Sequence, residues 1–256
     1  MKGHNIMIAP FSFWWFVFLA AVVAGLIVAR LLLKDKPMED RRKFITVVGL
    51  FGIVAFLLYR YALFADPDYE FVLLKELPLH LCNIAVFLVP IASWKNIRFL
   101  QGFCFLNCSI GAILGALLAE ADFVDVPVLS SRGLGYYGTH FLILFMCLSF
   151  AVLGVFRPKF SDVPKTIGIL LIAAGLIHCV NLLIRALASV DANYFYTFGL
   201  PGNSIIDAVY SILPVPLLYE FLFALPVAAV HTLVILPFHL ADKKRADKKE
   251  TDGKKQ

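Results

Sequence analysis

Apolar residues are grouped along the chain into long runs that short polar segments separate. An α-helix rises 1.5 Å per residue, so about 20 apolar residues cross the ~30 Å hydrocarbon core of a bilayer. Seven runs are long and apolar enough to span, at about residues 11–33, 44–64, 77–93, 98–118, 134–156, 163–187 and 214–238. The run at 77–93 is the shortest. The pattern predicts an all-α fold, a polytopic membrane helix bundle with about seven transmembrane helices.

The loops between these runs alternate in charge. The first, third and fifth loops and the tail are basic, with Lys34, Lys36, Arg41, Arg42, Lys43, Lys95, Arg98, Arg157, Lys159, Lys165 and the lysines after Ala241. The second and fourth loops are acidic, and the sixth carries no basic residue. Because cytoplasmic loops carry the excess of Lys and Arg, the pattern predicts an N-terminus outside and a cytoplasmic C-terminus.

Composition supports the membrane assignment. Hydrophobic residues make up 61% of the chain, against about 45–50% in soluble domains. A net charge of +5 would suggest nucleic acid in a soluble protein, but here the basic residues lie at helix ends and in the tail, so we expect no nucleic-acid partner. We expect one membrane domain over 1–240, a disordered basic tail over 241–256, and a multi-pass location in a bacterial plasma membrane.

Several polar residues fall inside the predicted spans. Measured from the outer ends of their spans, Arg60, Cys82, His140, Asn181 and Glu220 lie about 7 to 10 Å deep. A polar group in hydrocarbon is costly unless it has a partner, so these side chains should face one another, with Glu220 paired to an arginine or a histidine. His178, Asn181 and Arg185 are spaced i, i+3, i+7 and share one helix face. The sequence predicts a polar layer in the outer half of the bundle.

Cys82 is a candidate nucleophile within that layer. On a helix beginning near Pro78, His80 and Asn83 share a face, whereas Cys82 is turned about 200° from His80. A base for Cys82 should therefore come from another helix. His140 lies at a matching depth, and the glycines before it allow close helix packing. A thiol becomes a nucleophile as its thiolate, which a nearby imidazolium, Arg60 or Arg185 would favour.

The segment after the sixth span is rich in aromatic and turn-forming residues. It contains Asn193, Tyr194, Tyr196, Gly199, Pro201 and Gly202, and we expect it to fold back over the outer mouth of the bundle. Residues 205–213 are predicted to lie along the interface. Pro214, Pro216 and Pro226 are predicted to bend the last span, and His231 and His239 to face head groups at its cytoplasmic end.

Three segments of the chain resemble a known family. They are 77–83 (Leu-Pro-Leu-His-Leu-Cys-Asn), 136–140 (Tyr-Tyr-Gly-Thr-His) and the pair 193–194 (Asn-Tyr). Together they resemble the YwaF-type membrane family, related to the vertebrate transmembrane protein 164, which is described as an acyltransferase that moves fatty acyl chains between phospholipids. The resemblance implies that Cys82 carries the acyl group and that His140 assists it.

These observations leave several functions open. The leading hypothesis is transfer or hydrolysis of a phospholipid acyl group, without a cofactor, by Cys82 and His140, with substrate contacts from the other polar residues: Arg60, His80, Asn83, His178, Asn181, Arg185, Asn193, Tyr194 and Glu220. A metal-dependent hydrolase using His80, His140, His178 and Glu220 is an alternative, although we predict no metal site. A solute transporter or a non-enzymatic binding protein is another. A retinal protein is excluded, because it needs a lysine in its last span to form the Schiff base with retinal, and no lysine lies between Lys165 and Lys243.

Overall fold

A computed structural model describes residues 6–200, 202 and 204–253 of the chain, and it is a bundle of helices. Within these ranges there are eight helices: α1 (Phe13–Leu33), α2 (Met38–Phe64), α3 (Leu81–Trp94), α4 (Arg98–Leu117), α5 (Ser131–Val152), α6 (Asp162–Ala188), α7 (Ser204–Ile212) and α8 (Glu220–Gly253). Helix α4 contains a π-helical segment at Cys104–Cys108, and α5 begins with another at Ser131–Tyr137. Pro201 and residues 254–256 of the predicted tail lie outside the described residues.

Six of the described helices are long and apolar enough to cross a membrane, namely α1, α2, α4, α5, α6 and α8. The predicted polytopic helix bundle is therefore confirmed. Helix α3 has 14 residues, which give a length of about 21 Å, shorter than a ~30 Å hydrocarbon core. It begins at Leu81 rather than at residue 77, because a proline disfavours helical geometry in the residue before it and Pro78 follows Leu77. The prediction that Pro78 lies in the first turn of a helix was wrong.

The connections between helices lie at the two ends of the bundle. We call the end with the basic loops the inner end and the opposite end the outer end, after the orientation that the loop charges predict. At the inner end, Arg98 pairs with Asp162, and Arg157 pairs with Asp242. At the outer end, Arg60 pairs with Glu76. The basic loops thus lie together at one end, as their alternation along the chain indicates, whereas the side of the membrane that this end faces stays a prediction. At the outer end, two short strands, β1 (Met7–Ile8) and β2 (Val126–Pro127), form an antiparallel pair. The sequence pattern did not indicate this pairing.

Helices α4 and α5 form the centre of the bundle. In their apolar stretches, 61% and 56% of the residues are buried, against 11% in α8 and 17% in both α1 and α6. The peripheral helices present the rest of their apolar surface outward, as helices surrounded by lipid do. Polar residues on α4 and α5 are therefore the ones that the fold keeps away from lipid most completely.

The last helix differs from the sequence-based prediction in its prolines and in its length. Pro214 and Pro216 precede α8 and do not bend it, whereas Pro226 lies inside this helix. Helix α8 also continues through 241–253, a stretch that we predicted to be disordered. Alanine, lysine, arginine and glutamate are good helix formers, and they extend a helix that has already nucleated in the membrane span.

Candidate functional site

Cys82 lies in the first turn of α3. His80 is the N-cap residue in an extended conformation (φ −71°, ψ 151°), and its carbonyl accepts a hydrogen bond from the amide of Ile84 at 2.9 Å. Cys82 is then the second residue of the helix, where backbone amides have no intrahelical acceptor. Its half-buried thiol lies 3.7 Å from Oδ1 of Asn83, which is buried. The predicted partners His80, Cys82 and Asn83 thus sit at a helix start rather than within a regular helix.

His140 is held on α5 by a backbone carbonyl. Its Nδ1 lies 2.9 Å from the carbonyl oxygen of Tyr136, one turn earlier. A carbonyl oxygen only accepts hydrogen bonds, so Nδ1 carries the hydrogen and the neutral ring keeps its lone pair on Nε2. The side chain is buried, with 6% of its surface exposed. The arrangement leaves Nε2 as the nitrogen that is able to take a proton.

Two glycines of α4 bring these elements together. A Cβ added at Gly115 would lie 2.6 Å from Nε2 of His140, and one added at Gly111 would lie 3.0 Å from Cδ2 of Leu81, the neighbour of Cys82. The two glycines are spaced i, i+4 and so lie on one face, about 6 Å apart along the axis. The start of α3 and the imidazole of His140 therefore pack on adjacent turns of α4. Both Cys82 and His140 are within the described part of the chain, and no hydrogen bond joins them.

Arg60 supplies positive charge to this region. Its guanidinium forms an ion pair with Glu76, and the two side chains are only 18% and 12% exposed. Tyr69 donates a hydrogen bond to the other carboxylate oxygen of Glu76 at 2.6 Å. Arg60 interacts electrostatically with His80, Cys82 and His140. We call Arg60, Glu76, His80, Cys82, Glu120 and His140 the outer polar cluster.

Aromatic rings enclose the two histidines. The His80 ring lies 5.2 Å from both the Tyr194 ring and the Tyr196 ring. The Tyr136 ring lies 4.3 Å from the His140 ring. The hydroxyl of Tyr196 donates a hydrogen bond to Glu120, which interacts electrostatically with Cys82. Sequence reasoning missed Glu76 and Glu120, since they stand in loops and their depth cannot be read from helical spacing.

Tyr194 fixes the segment that leads into Cys82. Burial raises the pKa of Tyr194 to about 12, so its hydroxyl stays protonated. This hydroxyl donates to the carbonyl of Leu74 at 2.8 Å and accepts from the amide of Leu77 at 3.0 Å. The outer loop after α6 therefore folds back over the mouth of the bundle, as the sequence indicated.

Asn181 on α6 anchors that loop. It is fully buried, its Nδ2 donates to the carbonyl of Tyr194 at 2.8 Å, and its Oδ1 accepts from the Tyr194 amide at 3.0 Å. His178 contacts Thr197 through Nδ1 at 2.9 Å, and Asn181 donates to the same hydroxyl. These two predicted substrate contacts thus face the loop rather than Cys82, and contact with substrate stays a prediction for them.

Arg185 and Asn193 are also engaged within the outer loop. Arg185 donates to the carbonyl of Ala192 at 2.7 Å, pairs with Asp191 and lies 3.9 Å from the centre of the Phe198 ring. Asn193 bonds the backbone of Phe198 and Gly199. Contact with substrate stays a prediction for both residues.

Glu220 is the first residue of α8, and its predicted pairing with Arg60 or Arg185 was wrong. Each arginine is satisfied by a carboxylate from the loop beside its own helix, Glu76 or Asp191. Oε1 of Glu220 is buried, and it has no hydrogen-bond partner among the residues that the structure describes. A nearby loop carboxylate reaches an arginine at the end of its helix more easily than one carried by a distant helix, since closing a short loop costs less entropy.

His231 lies deeper than we predicted. It is fully buried, and its Nε2 is 3.2 Å from the carbonyl oxygen of Leu106, in the π-helical segment of α4. The prediction that it faces head groups was wrong. A π-helical segment disturbs the regular hydrogen-bond ladder, which leaves a carbonyl available to a side chain of a neighbouring helix.

The five cysteines are free. Over residues 6–200, 202 and 204–253, no group of three or more His, Cys, Asp or Glu side chains is placed to hold a metal ion. The four residues of the metal-hydrolase alternative therefore do not form a metal site. Nδ1 of His178 contacts the Thr197 hydroxyl, and Nδ1 of His140 contacts the Tyr136 carbonyl.

Comparison with known proteins gives one match. No curated protein matches the chain, and no solved structure matches it. The model of the TMEM164 family matches residues 7–240, which include every residue of the outer polar cluster. The multi-pass helical architecture and this match agree with the resemblance in segments 77–83 and 136–140. The chain belongs to the TMEM164 family.

Proposed function

We propose that this protein is a membrane-embedded acyltransferase or acyl hydrolase that acts on phospholipid acyl chains, with Cys82 as nucleophile and His140 as general base. The observation that carries the proposal is the packing of the Cys82 helix start and the His140 imidazole on adjacent turns of one α4 face. Nucleophile and base often stand apart in an unliganded site and approach when substrate binds.

Burial disfavours a thiolate on Cys82, and two features act against this cost. The first turn of a helix presents unpaired amides and the positive end of the helix dipole, and Cys82 is its second residue. Arg60 adds a positive charge nearby. A thiolate at such a position is the form that attacks a carbonyl carbon.

The proposed reaction has two steps. In the first, Nε2 of His140 takes the thiol proton, and the sulfur bonds to the carbonyl carbon of the ester. The ester C–O bond then breaks, and the leaving alkoxide takes the proton from His140, which gives a lysophospholipid and an acyl-thioester on Cys82. In the second, the hydroxyl of an acceptor lysophospholipid or of water gives its proton to His140 and attacks the thioester. The Cys82 sulfur leaves and recovers its proton.

The remaining predicted substrate residues fall into two groups in this proposal. Arg60, His80 and Asn83, of which Asn83 contacts the Cys82 thiol at 3.7 Å, are assigned to the ester and phosphate region of the lipid. His178, Asn181, Arg185, Asn193, Tyr194 and Glu220 define the outer loop and the start of α8 beside it, where a head group would enter. The lipid reaches the site from the outer leaflet.

Product analysis tests the reaction. Purified protein is reconstituted with a phospholipid that carries an alkyne-tagged acyl chain, and the release of lysophospholipid and of tagged products is measured. Cys82→Ala should abolish turnover, whereas Cys179→Ala, which removes an exposed thiol on α6, should retain it. Full turnover in Cys82→Ala would refute the nucleophile assignment. Solute uptake by the same proteoliposomes without any acyl product would instead support the transporter alternative.

A further inference from the structure

A cleft opens at the inner end of the bundle, opposite the outer polar cluster. It lies between the starts of α4 and α6 and has a volume of about 170 Å³. Its lining includes Arg98, Phe99, Asp162, Lys165 and Ile169. None of these residues belongs to the proposed acyl-transfer site, so the cleft is separate from that site.

The start of α4 contributes unpaired amides to the cleft. Ile97 is the N-cap residue, and an isoleucine side chain cannot accept a hydrogen bond from the first turn. The amide of Gln101 donates a hydrogen bond to the carbonyl of Ile97 at 3.0 Å, which begins the backbone hydrogen bonding of the helix. The amides of Arg98 and Phe99 have no acceptor among the described residues. Such a helix start attracts anions.

The side chains add positive charge at the same place. Arg98 donates two hydrogen bonds to the carboxylate of Asp162, at 3.0 and 3.1 Å, and remains 49% exposed. Asp162 is buried and also accepts a hydrogen bond from the amide of Lys159 at 2.8 Å. Its carboxylate is therefore paired with Arg98 and the Lys159 amide rather than with Lys165. Lys165 stands one turn later on α6, is exposed, and has no ion pair within the described ranges. The Lys165 charge is therefore left uncompensated in the cleft.

The remaining wall of the cleft is apolar. Phe99 is 55% exposed and Ile169 is half-buried, and Ile169 lies one turn deeper in the membrane than Lys165 on the same helix. Positive charge at the membrane surface and apolar surface just below it match the order of phosphate and acyl chain in a lipid. We propose that this cleft binds the phosphate of an anionic phospholipid of the inner leaflet, with the acyl chain of the lipid against Phe99 and Ile169.

Native mass spectrometry tests the lipid site. The detergent-purified full chain is mixed with equal amounts of phosphatidylglycerol and phosphatidylcholine, and the bound fraction of each is measured. The wild type should retain phosphatidylglycerol preferentially, and Lys165→Gln should lower that fraction about fivefold. Lys95→Gln is the matched control, since Lys95 is an inner-end lysine that packs on Trp94 and does not line the cleft. It should leave binding unchanged.

Three results would overturn the proposal. Equal retention of the two lipids would mean that the cleft does not select an anionic head group. An equal loss in Lys165→Gln and Lys95→Gln would indicate diffuse attraction to a basic surface. Release of phosphatidylglycerol by inorganic phosphate alone would identify a small-anion site. Because Lys165 is exposed, its replacement should not impair folding, and an unchanged thermal transition of the variant checks this.

Discussion

At the residue scale, a glycine of α4 sets the position of the candidate base His140. His140 is fixed on one side by the Tyr136 carbonyl and on the other by the backbone of α4 at Gly115. Tyr136 also donates a hydrogen bond to the Gly115 carbonyl at 2.8 Å, which ties the two helices together at this level. The ring has no room to move toward α4, so its Nε2 is positioned by backbone rather than by flexible side chains.

A methyl group at position 115 should displace the imidazole. In Gly115→Ala the new Cβ would meet Cδ2 and Nε2 of His140 at 2.6 Å, and we expect acyl turnover to fall at least about tenfold. Overpacking of this kind costs about 1–3 kcal/mol, partly offset by the better helix propensity of alanine. Gly175→Ala on α6 is the matched control, since no described atom beyond its chain neighbours and the adjacent backbone of its own helix lies within 4 Å of the added Cβ. Equal turnover in both variants would show that the position of His140 is not needed.

At the element scale, a carboxylate clasp joins the α2–α3 loop to the start of α5. Asp66 accepts a hydrogen bond from the hydroxyl of Ser131, and its Oδ2 lies 3.5 Å from Nε of Arg132. The Ser131 hydrogen bond, with help from the Asp68 amide and Arg132, holds the pKa of Asp66 below its usual range. The clasp connects the helix that carries Arg60 to the helix that carries His140.

The clasp should make stability depend on pH on the acid side. Because the pKa of Asp66 is lowered by folding, its contribution is present above the unfolded pKa of about 3.9 and is lost as pH falls through the folded value. Asp66→Asn should lower the free energy of unfolding by about 1 kcal/mol at pH 7 and flatten its acid dependence. Thermal unfolding between pH 7 and pH 3 measures the loss of stability at pH 7 and the change in its acid dependence. Asp68→Asn is the control, since Asp68 is 80% exposed. An unchanged acid slope in Asp66→Asn would contradict this role.

The elements also show what the sequence can predict. Hydropathy located the six long spans, because each contains enough apolar residues to cross a bilayer without help from a neighbour. It misplaced the start of α3, where Pro78 and the contacts of Tyr194 hold the chain in an irregular segment up to His80. It placed Cys82 and His140 at a common depth but could not identify Glu76 as the partner of Arg60, since loop carboxylates have no helical register.

At the scale of the whole molecule, the two ends of the bundle differ in chemistry. The outer end combines Cys82, His140 and Arg60 beneath a folded aromatic loop, and the inner end presents a basic cleft beside Lys165. The loop charges predict that the basic end faces the cytoplasm. With that orientation, the proposed acyl transfer would take place in the outer leaflet, and the lipid proposed for the inner cleft would not be a substrate.

The most direct test of the central claim is to locate the acyl group on the protein. Reconstituted protein is exposed to a phospholipid with an alkyne-tagged acyl chain, quenched, and digested, and the tagged peptide is identified by mass spectrometry. We expect a hydroxylamine-sensitive tag on the peptide that contains Cys82, and its absence in Cys82→Ala but not in Cys179→Ala. A tag on another residue, or hydroxylamine-sensitive labelling that persists in Cys82→Ala, would contradict the account.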